Sequence, residues 1–480
     1  MPHTPSSTTQ QLPDAAVIVL FGATGDLAGR MVLPAIVEVH ERGLMPRAWR
    51  IIGCAADELD DEGFRRHVDE AVARRGGGLP DDWAHIRGNV RYCAGTFGVD
   101  NPGRLPEVLG EVREELRRET GGEPVVIHFL AVPPVAFAPI TRGLGAHHLA
   151  DGARVIFEKP YGTSLESFEK LDALVKEVLA EEQVFRIDHF LGKEGVQTIY
   201  VLRFANQLFG SEWNRSSIEQ VQIDVPEDLD VANRATFYEA TGAALDMLVT
   251  HLFQVASQVA MEPPMDLRDP NSVLQAREAV LKSFHPLDPK EDVVLGQFDG
   301  YRDIPGVPDD STQDTFVAAR LWVDTERWRG VPFLLRTGKR MATKQQRITL
   351  VLRPPFGPLA HELKVPNTVE IDFAGEGEVA LGMTVKTPGP DLTYSSGRAR
   401  LNLDDVVGGE GLSPYASLIN DALVGDRSLF TTAEGLRAAF TAFAPLQGPD
   451  RPAPLPYPPG SWGPEEARRL AAPHRWMLGE

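Results

Sequence analysis

A doubly wound parallel α/β sheet, followed by an α+β half built on a large, mainly antiparallel sheet, is the architecture this sequence predicts. Three observations carry it. Short apolar runs alternate with helical patterns through the first third. Period-two alternation replaces that rhythm from Ile218 onward. And 480 residues exceed what one ordinary core holds, so two domains are expected.

In the first third the predicted buried strands are Ala16–Phe21, Arg50–Gly53, Pro124–Ala131 and Arg154–Phe157, with helices over Asp61–Arg75 and Leu105–Glu119 between them. Further on, Ile218–Val225, Thr315–Val323, Arg347–Leu352, Thr368–Phe373 and Glu378–Val385 alternate apolar and polar residues, as a sheet covered on one face requires. The helical pattern Phe237–Met261 suits the covering layer. The expected division is a disordered tail over 1–14, a first domain over 15–188 and a second over 189–480. The tail is polar and interrupted by Pro2, Pro5 and Pro13.

Composition excludes some functions. The 48 basic and 68 acidic residues leave a net charge of −20, whose average field repels nucleic acids and anionic membranes. An anionic ligand would therefore need a local basic pocket, which makes clustered lysines informative. Cys54 and Cys93 are the two cysteines; they form no zinc spacing and no disulfide framework, and a reducing compartment is expected. The start lacks a signal-peptide pattern, and the run Ala15–Phe21 is too short to span a bilayer. A cytoplasmic protein without membrane contact is expected.

Four motifs can carry chemistry. Gly22-Ala-Thr24-Gly25-Asp26-Leu27-Ala28 follows the first strand and opens a helix. Glycines there let backbone approach a pyrophosphate, and the helix start favours its charge, as in Rossmann-type domains. An ordinary glycine-rich turn fits the same letters. Glu158-Lys159-Pro-Tyr-Gly162 follows another buried strand, where parallel sheets bind ligands. A surface loop with a paired lysine is the plainer reading. Arg186-Ile-Asp188-His189-Phe-Leu-Gly-Lys193-Glu194 gathers an acid, an imidazole and an ammonium at the domain boundary, which suits a phosphate in a cleft. A polar hinge is the alternative. His251 lies in an otherwise apolar helical stretch, and periodicity alone reads it as a core histidine.

Together, and in this order, the motifs resemble those of the glucose-6-phosphate dehydrogenase family. Gly242–His251, Gly330–Met341, Pro414-Tyr415, Gly425–Phe430 and Gly460–Pro464 extend the likeness from Val17 to Trp476, and the run around His189 is its most specific part. The resemblance reverses the plain reading of His251. It implies His251 as general base and Asp188 as the carboxylate that orients it. His189 and Lys193 would hold the phosphate; Lys159, Glu227, Asp246, Lys339 and Lys344 fall at positions that contact the sugar phosphate. Gly22, Thr24, Gly25, Asp26, Leu27, Asp57 and Lys159 would line the dinucleotide site. The implied reaction is oxidation of a hexose 6-phosphate at C1 to a lactone: an imidazole neutral near pH 7 takes the O1 proton, and a carboxylate behind it stabilises the imidazolium. No metal is required. A homodimer or homotetramer is implied.

Several positions depart from the family pattern. Phe190 replaces a tyrosine, and Val249-Thr250 a Gln-Asn pair. Met31 stands where a basic residue is usual. Ala56-Asp57 replaces an arginine-containing pair that grips the 2′-phosphate of NADP, so NAD is expected over NADP. Arg30, Arg47 or Arg65 could supply the missing cation, and Asp57 could instead cap the next helix. A modified sugar, such as an amino sugar phosphate, is the alternative substrate. A non-catalytic regulatory or assembly homologue is the alternative of another class, and the joint presence of Asp188, His189, Lys193 and His251 argues against it.

Overall fold

The computed structural model describes residues 11–75, 78–231, 234–359, 365–375, 377–406 and 411–479. Residues 1–10 of the expected tail lie outside them; Leu12 packs against the core. Among the described residues, sixteen strands form two sheets. The first six are β1 (Ala15–Phe21), β2 (Ala48–Ala55), β3 (Val90–Ala94), β4 (Val125–Leu130), β5 (Arg154–Phe157) and β6 (Val184–Ile187). They run parallel in the order β3-β2-β1-β4-β5-β6. This is the doubly wound dinucleotide-fold order, with its reversal between β1 and β4. β1 is buried along its whole length, as a central parallel strand under helices on both faces must be.

The second sheet takes β7 (Ile218–Pro226), β8 (Val293–Phe298), β9 (Phe316–Leu321), β10 (Phe333–Gly338), β11 (Arg347–Leu352), β12 (Thr368–Asp372), β13 (Glu378–Lys386) and β14 (Tyr394–Asn402). A short strand, β15 (Phe430–Thr431), leaves this half and pairs antiparallel with β6; β16 (Leu455–Tyr457) closes the second sheet against β8. The order is β14-β13-β12-β11-β7-β10-β9-β8-β16. Only the β7–β10 and β8–β16 pairs are parallel among the described residues, so the expected mainly antiparallel sheet is found.

The second half of the chain also embraces the first sheet elsewhere. The helix Pro414–Val424 docks there: Arg154 donates to the carbonyls of Ala422 and Leu423 at 2.6 and 2.7 Å, and the Ser413 amide donates to Glu38 at 2.8 Å.

The predicted helix Phe237–Met261 is present but not uniform. It runs Ala235–Ala244, then a wider π-helical stretch Leu245–Leu252, then Phe253–Ala260. The break is at Gly242 (φ 63°, ψ 176°), where a Cβ would lie 2.6 Å from an Asp314 carboxylate oxygen. Buried Asp314 restarts the helix: its carbonyl accepts the Ala243 amide at 2.9 Å and its carboxylate the Ala244 amide at 2.7 Å. The wider turn has a consequence for the site. Residues five apart stand about 140° apart on an ordinary helix, and i→i+5 winding brings them nearer. Asp246 and His251 are such a pair.

Candidate active site

Chemistry-bearing residues gather along the carboxyl edge of the first sheet. Gly22 follows β1, Asp57 follows β2, Glu158 and Lys159 follow β5, and Asp188 follows β6. From β2 to β6 is four strand spacings, on the order of 19 Å. The edge is thus a line with the glycine turn towards one end and the acid at the other.

At the β5–β6 end, Asp188 Oδ1 accepts the Nδ1–H of His251 at 2.6 Å, and both side chains are buried. The other ring nitrogen, Nε2, lies 2.8 Å from Lys159 Nζ, which is itself 3.0 Å from Asp246 Oδ1. With Nδ1 protonated towards the carboxylate, Nε2 is the acceptor. Burial pushes the Asp188 carboxyl up to about 6 and holds the His251 imidazole well below its ordinary range, the Lys159 ammonium adding to the second effect. At pH 7 the pair is therefore a carboxylate and a neutral imidazole. Burial alone would raise Asp246, but Lys159, together with His251 and Lys339, outweighs it and holds that carboxyl below its ordinary value.

Phe190 lies flat on the His251 ring, with centroids 4.2 Å apart and planes 6° from parallel. The residue that costs the family's tyrosine hydroxyl is here a wall that fixes the imidazole plane. Its amide also donates to Asp188 Oδ1 at 3.0 Å. Thr250 bonds back to the Asp246 carbonyl at 2.8 Å, within its own helix. Asp188, His189 and His251 present one donor atom each within 4.8 Å of one another, but the shortest separation among them is the Asp188–His251 hydrogen bond.

Beside this pair lie the lysines and His189, whose imidazole is held well below its ordinary range by burial and by the neighbouring Lys159 and Lys193. His189 stands edge-on to His251, with centroids at 4.7 Å, and stacks with Tyr415 at 6.2 Å. Lys193 begins the helix Glu194–Ala205 and donates to Gln346 at 2.6 Å. Burial lowers its ammonium below the ordinary value, and the charge of nearby Lys344 adds to that. Lys344 itself is exposed. Lys339, at the end of β10, pairs with Glu227 at 2.6 Å and sits 5.7 Å from the Tyr238 ring. The residues of the two charge pairs, Lys193 and Lys344 come from the ends of β5, β7 and β10, the π-helical stretch, the start of the helix Glu194–Ala205 and the segment before β11.

At the other end, Gly22 (φ 74°) can carry no side chain, since a Cβ would meet the Ala131 carbonyl at 2.3 Å. Gly25 and Asp26 are exposed, and Leu27 leads into a helix over fully buried Ala28. The Thr24 hydroxyl donates to the Asp57 carboxylate. Asp57 does not cap the next helix: Asp60 does, accepting the Gly63 amide at 2.7 Å. Arg47 and Arg65 are engaged away from this loop, whereas exposed Arg30 pairs with Asp26 of the glycine turn itself. Arg47 donates to the Glu119 carbonyl at 2.8 Å, Arg65 to the Val90 carbonyl at 3.1 Å, and Arg30 to Asp26 at 3.2 Å.

Residue-by-residue reading missed four neighbours of the site. Glu158 and Tyr415 stood inside quoted motifs without a role. Burial pushes the Glu158 carboxyl up to about 7, and it is paired with the Tyr415 hydroxyl. Gln346 and Tyr92 gave no signal.

A dinucleotide-type sheet ending on a buried carboxylate–imidazole pair, with Lys159 of the same sheet set against the imidazole, defines the class: a two-domain α/β protein of the nicotinamide-dehydrogenase kind. Residues 19–198 match the family profile of the glucose-6-phosphate dehydrogenase NAD-binding domain, and residues 200–477 that of its C-terminal domain. The chain belongs to the glucose-6-phosphate dehydrogenase family. It is 36% identical to glucose-6-phosphate 1-dehydrogenase of Mycolicibacterium smegmatis, over 95% of this chain and 96% of that one. It is 33% identical to the cytoplasmic glucose-6-phosphate 1-dehydrogenase 6 of Arabidopsis thaliana, over 94% and 90%. A solved structure of a glucose-6-phosphate dehydrogenase in complex with its substrate glucose-6-phosphate superposes with a TM-score of 0.90, at 30% identity, covering 98% of this chain and 99% of that one.

Proposed function

We propose that this chain oxidises glucose 6-phosphate at C1 to 6-phosphogluconolactone, with His251 as the base. The observation that carries this reading is the imidazole held between the Asp188 carboxylate and Lys159, its Nε2 turned to accept. A sugar O1 hydroxyl that takes the place of Lys159 at Nε2 gives its proton to the ring. Asp188 stabilises the imidazolium that forms and keeps the ring from turning, as Phe190 does from the flat side. His189, Lys193 and Lys344 answer the phosphate, while Lys159 with Asp246, and Lys339 with Glu227, offer polar partners to the ring hydroxyls. The nicotinamide, when bound, supplies the hydride acceptor. Gly22, Thr24, Gly25, Asp26 and Leu27 line the turn where its pyrophosphate would lie.

Steady-state rates with glucose 6-phosphate, glucosamine 6-phosphate and glucose, each with both dinucleotides, test the reading. Glucose 6-phosphate should have the highest kcat/KM. A higher value for the amino sugar would transfer the assignment to it. No turnover with any pairing would favour a non-catalytic homologue.

The acid limb follows from the pair's charge state. The working form needs Asp188 ionised and His251 neutral. Burial pushes Asp188 up to about 6 and holds His251 well below its ordinary range, so kcat/KM should be level above about pH 7, near half its plateau around pH 6, and fall further below that. A limb centred above pH 7.5 would point to another base.

NAD is the favoured cofactor. Asp57 stands at the end of β2, where this fold places the adenosine ribose. A carboxylate there accepts from a 2′-hydroxyl and repels a 2′-phosphate. The engagement of Arg47 and Arg65 with backbone carbonyls supports the same choice. The ratio of kcat/KM for NAD over NADP should exceed one, and the double change Ala56→Arg, Asp57→Ser should move it towards NADP. An unchanged ratio in the double variant would displace the site from this loop.

A homodimer or homotetramer in the cytoplasm completes the reading. Beside β11 to β13 an apolar groove of about 690 Å³, lined by Leu208, Trp213, Leu352, Phe356 and Met383, suits burial against a second copy. Among the described residues no helix is long and apolar enough to cross a membrane.

A further inference from the structure

Asp57 sits on an exposed loop, yet the loop is tied from below. Tyr92, buried in β3, lies tilted against Phe64, with ring centroids 5.0 Å apart and planes 31° from parallel. Its hydroxyl lies 2.8 Å from the Asp57 carbonyl and 3.3 Å from the Ala55 carbonyl. A phenol has one proton to donate, and the shorter contact takes it. The same Asp57 carbonyl accepts the Leu59 amide at 2.9 Å. The Tyr92 amide donates to Asp61 at 2.7 Å, which ties β3 to the start of the helix Asp61–Ala73. Asp57 is thus held through its backbone by Tyr92 and Leu59 and through its side chain by Thr24.

We infer that Tyr92 is a positioning residue for dinucleotide choice, fixing through its hydroxyl the turn that presents the Asp57 carboxylate to the adenosine ribose. The inference rests on the reading of Asp57 given above. Discrimination between a hydroxyl and a phosphate at one ribose carbon needs the carboxylate at one place. On a slack loop it could swing aside, losing the hydroxyl and relieving its repulsion of the phosphate. Tyr92 lies under the loop rather than on its open face, so it acts through Asp57. Burial pushes its phenol up to about 12, and it stays a donor across the working range.

Tyr92→Phe removes the hydroxyl and keeps the ring against Phe64. One ordinary hydrogen bond lost corresponds to about a two- to tenfold change. KM for NAD should rise by that factor, KM for NADP should hold or fall, and kcat at saturating NAD should hold. The wild type, Asp57→Ala, Tyr92→Phe and the double variant are measured with both dinucleotides, together with their thermal midpoints. If Tyr92 acts through Asp57, the double variant should show no higher KM for NAD than Asp57→Ala alone. A wild-type preference for NADP would remove the reading of Asp57, and the inference with it. A wild type that prefers NAD and loses it in Asp57→Ala, but whose Tyr92→Phe variant matches it, would overturn the inference alone. Equal losses with both dinucleotides, following a lowered midpoint, would also overturn it, because a merely structural tyrosine behaves in that way.

Discussion

Replacing His251 with asparagine is expected to lower kcat by about two to four orders of magnitude, the range for loss of a general base. The variant keeps a polar group on the helix but has no nitrogen able to take a proton near pH 7. KM for glucose 6-phosphate should change little, because His189 and Lys193 lie on another segment. The measurement is kcat across pH, for the variant and the wild type. Near-normal turnover would mean that a different group takes the O1 proton, and Lys159, 2.8 Å from Nε2, would be the first to examine.

Lys193→Ala should act on binding instead. Truncating one partner of a buried, hydrogen-bonded charge pair costs about 2–5 kcal/mol, which is about 30-fold or more in affinity. The expected result is a KM for glucose 6-phosphate raised by at least that factor, with KM for the dinucleotide unchanged. His189→Ala should also raise KM for glucose 6-phosphate, by a smaller factor, because burial holds that imidazole well below its ordinary range and it meets the phosphate as a neutral donor. Lys193 is suited to the task because burial already disfavours its charge, so an anion relieves an existing cost. Its hydrogen bond to Gln346 holds the ammonium in place before a ligand arrives. Equal affinity of the wild type for glucose and glucose 6-phosphate would end this account of the phosphate site.

The strands most legible in the sequence were those whose apolar runs end at abrupt punctuation. Arg154–Phe157 and Arg347–Leu352 were read with the bounds they have in the structure. β14 (Tyr-Ser-Ser-Gly-Arg-Ala-Arg-Leu-Asn) was not read, because an exposed edge strand has no buried face to impose alternation. β6 is four residues long with buried Arg186 in its middle, so no apolar run announces it. Arg186 is tolerated there because Asp172 and Glu181 answer its charge at 3.0 and 2.8 Å. The kink at Gly242 depends on Asp314, a distant residue that period counting cannot see.

The site divides in the same way. The cluster Asp188–Lys193 declared itself by local density. His251 did not: its partner is 63 residues away, and only the resemblance reversed its reading as core. Phe190 was legible as a lost hydroxyl and not as a wall against the imidazole, since stacking is a property of two elements. Tyr92 gave no local sign, because what matters about it is which carbonyl its hydroxyl reaches.

The pairing of β15 with β6 bears on synthesis. Thr431 donates to the Arg186 carbonyl across 245 residues of chain. At about 5–20 residues per second, a ribosome needs on the order of 10 to 50 s to deliver that length. Through this interval the amino-terminal half has its dinucleotide turn but lacks the neighbour of the strand that leads into Asp188. An open strand edge is a template for wrong partners, and closing it over so long a loop is slow. The nascent half therefore carries an open β6 edge until Phe430 and Thr431 have emerged. A stop codon before Phe430 should leave the strand that leads into Asp188 without its outer partner, and activity should be lost with it.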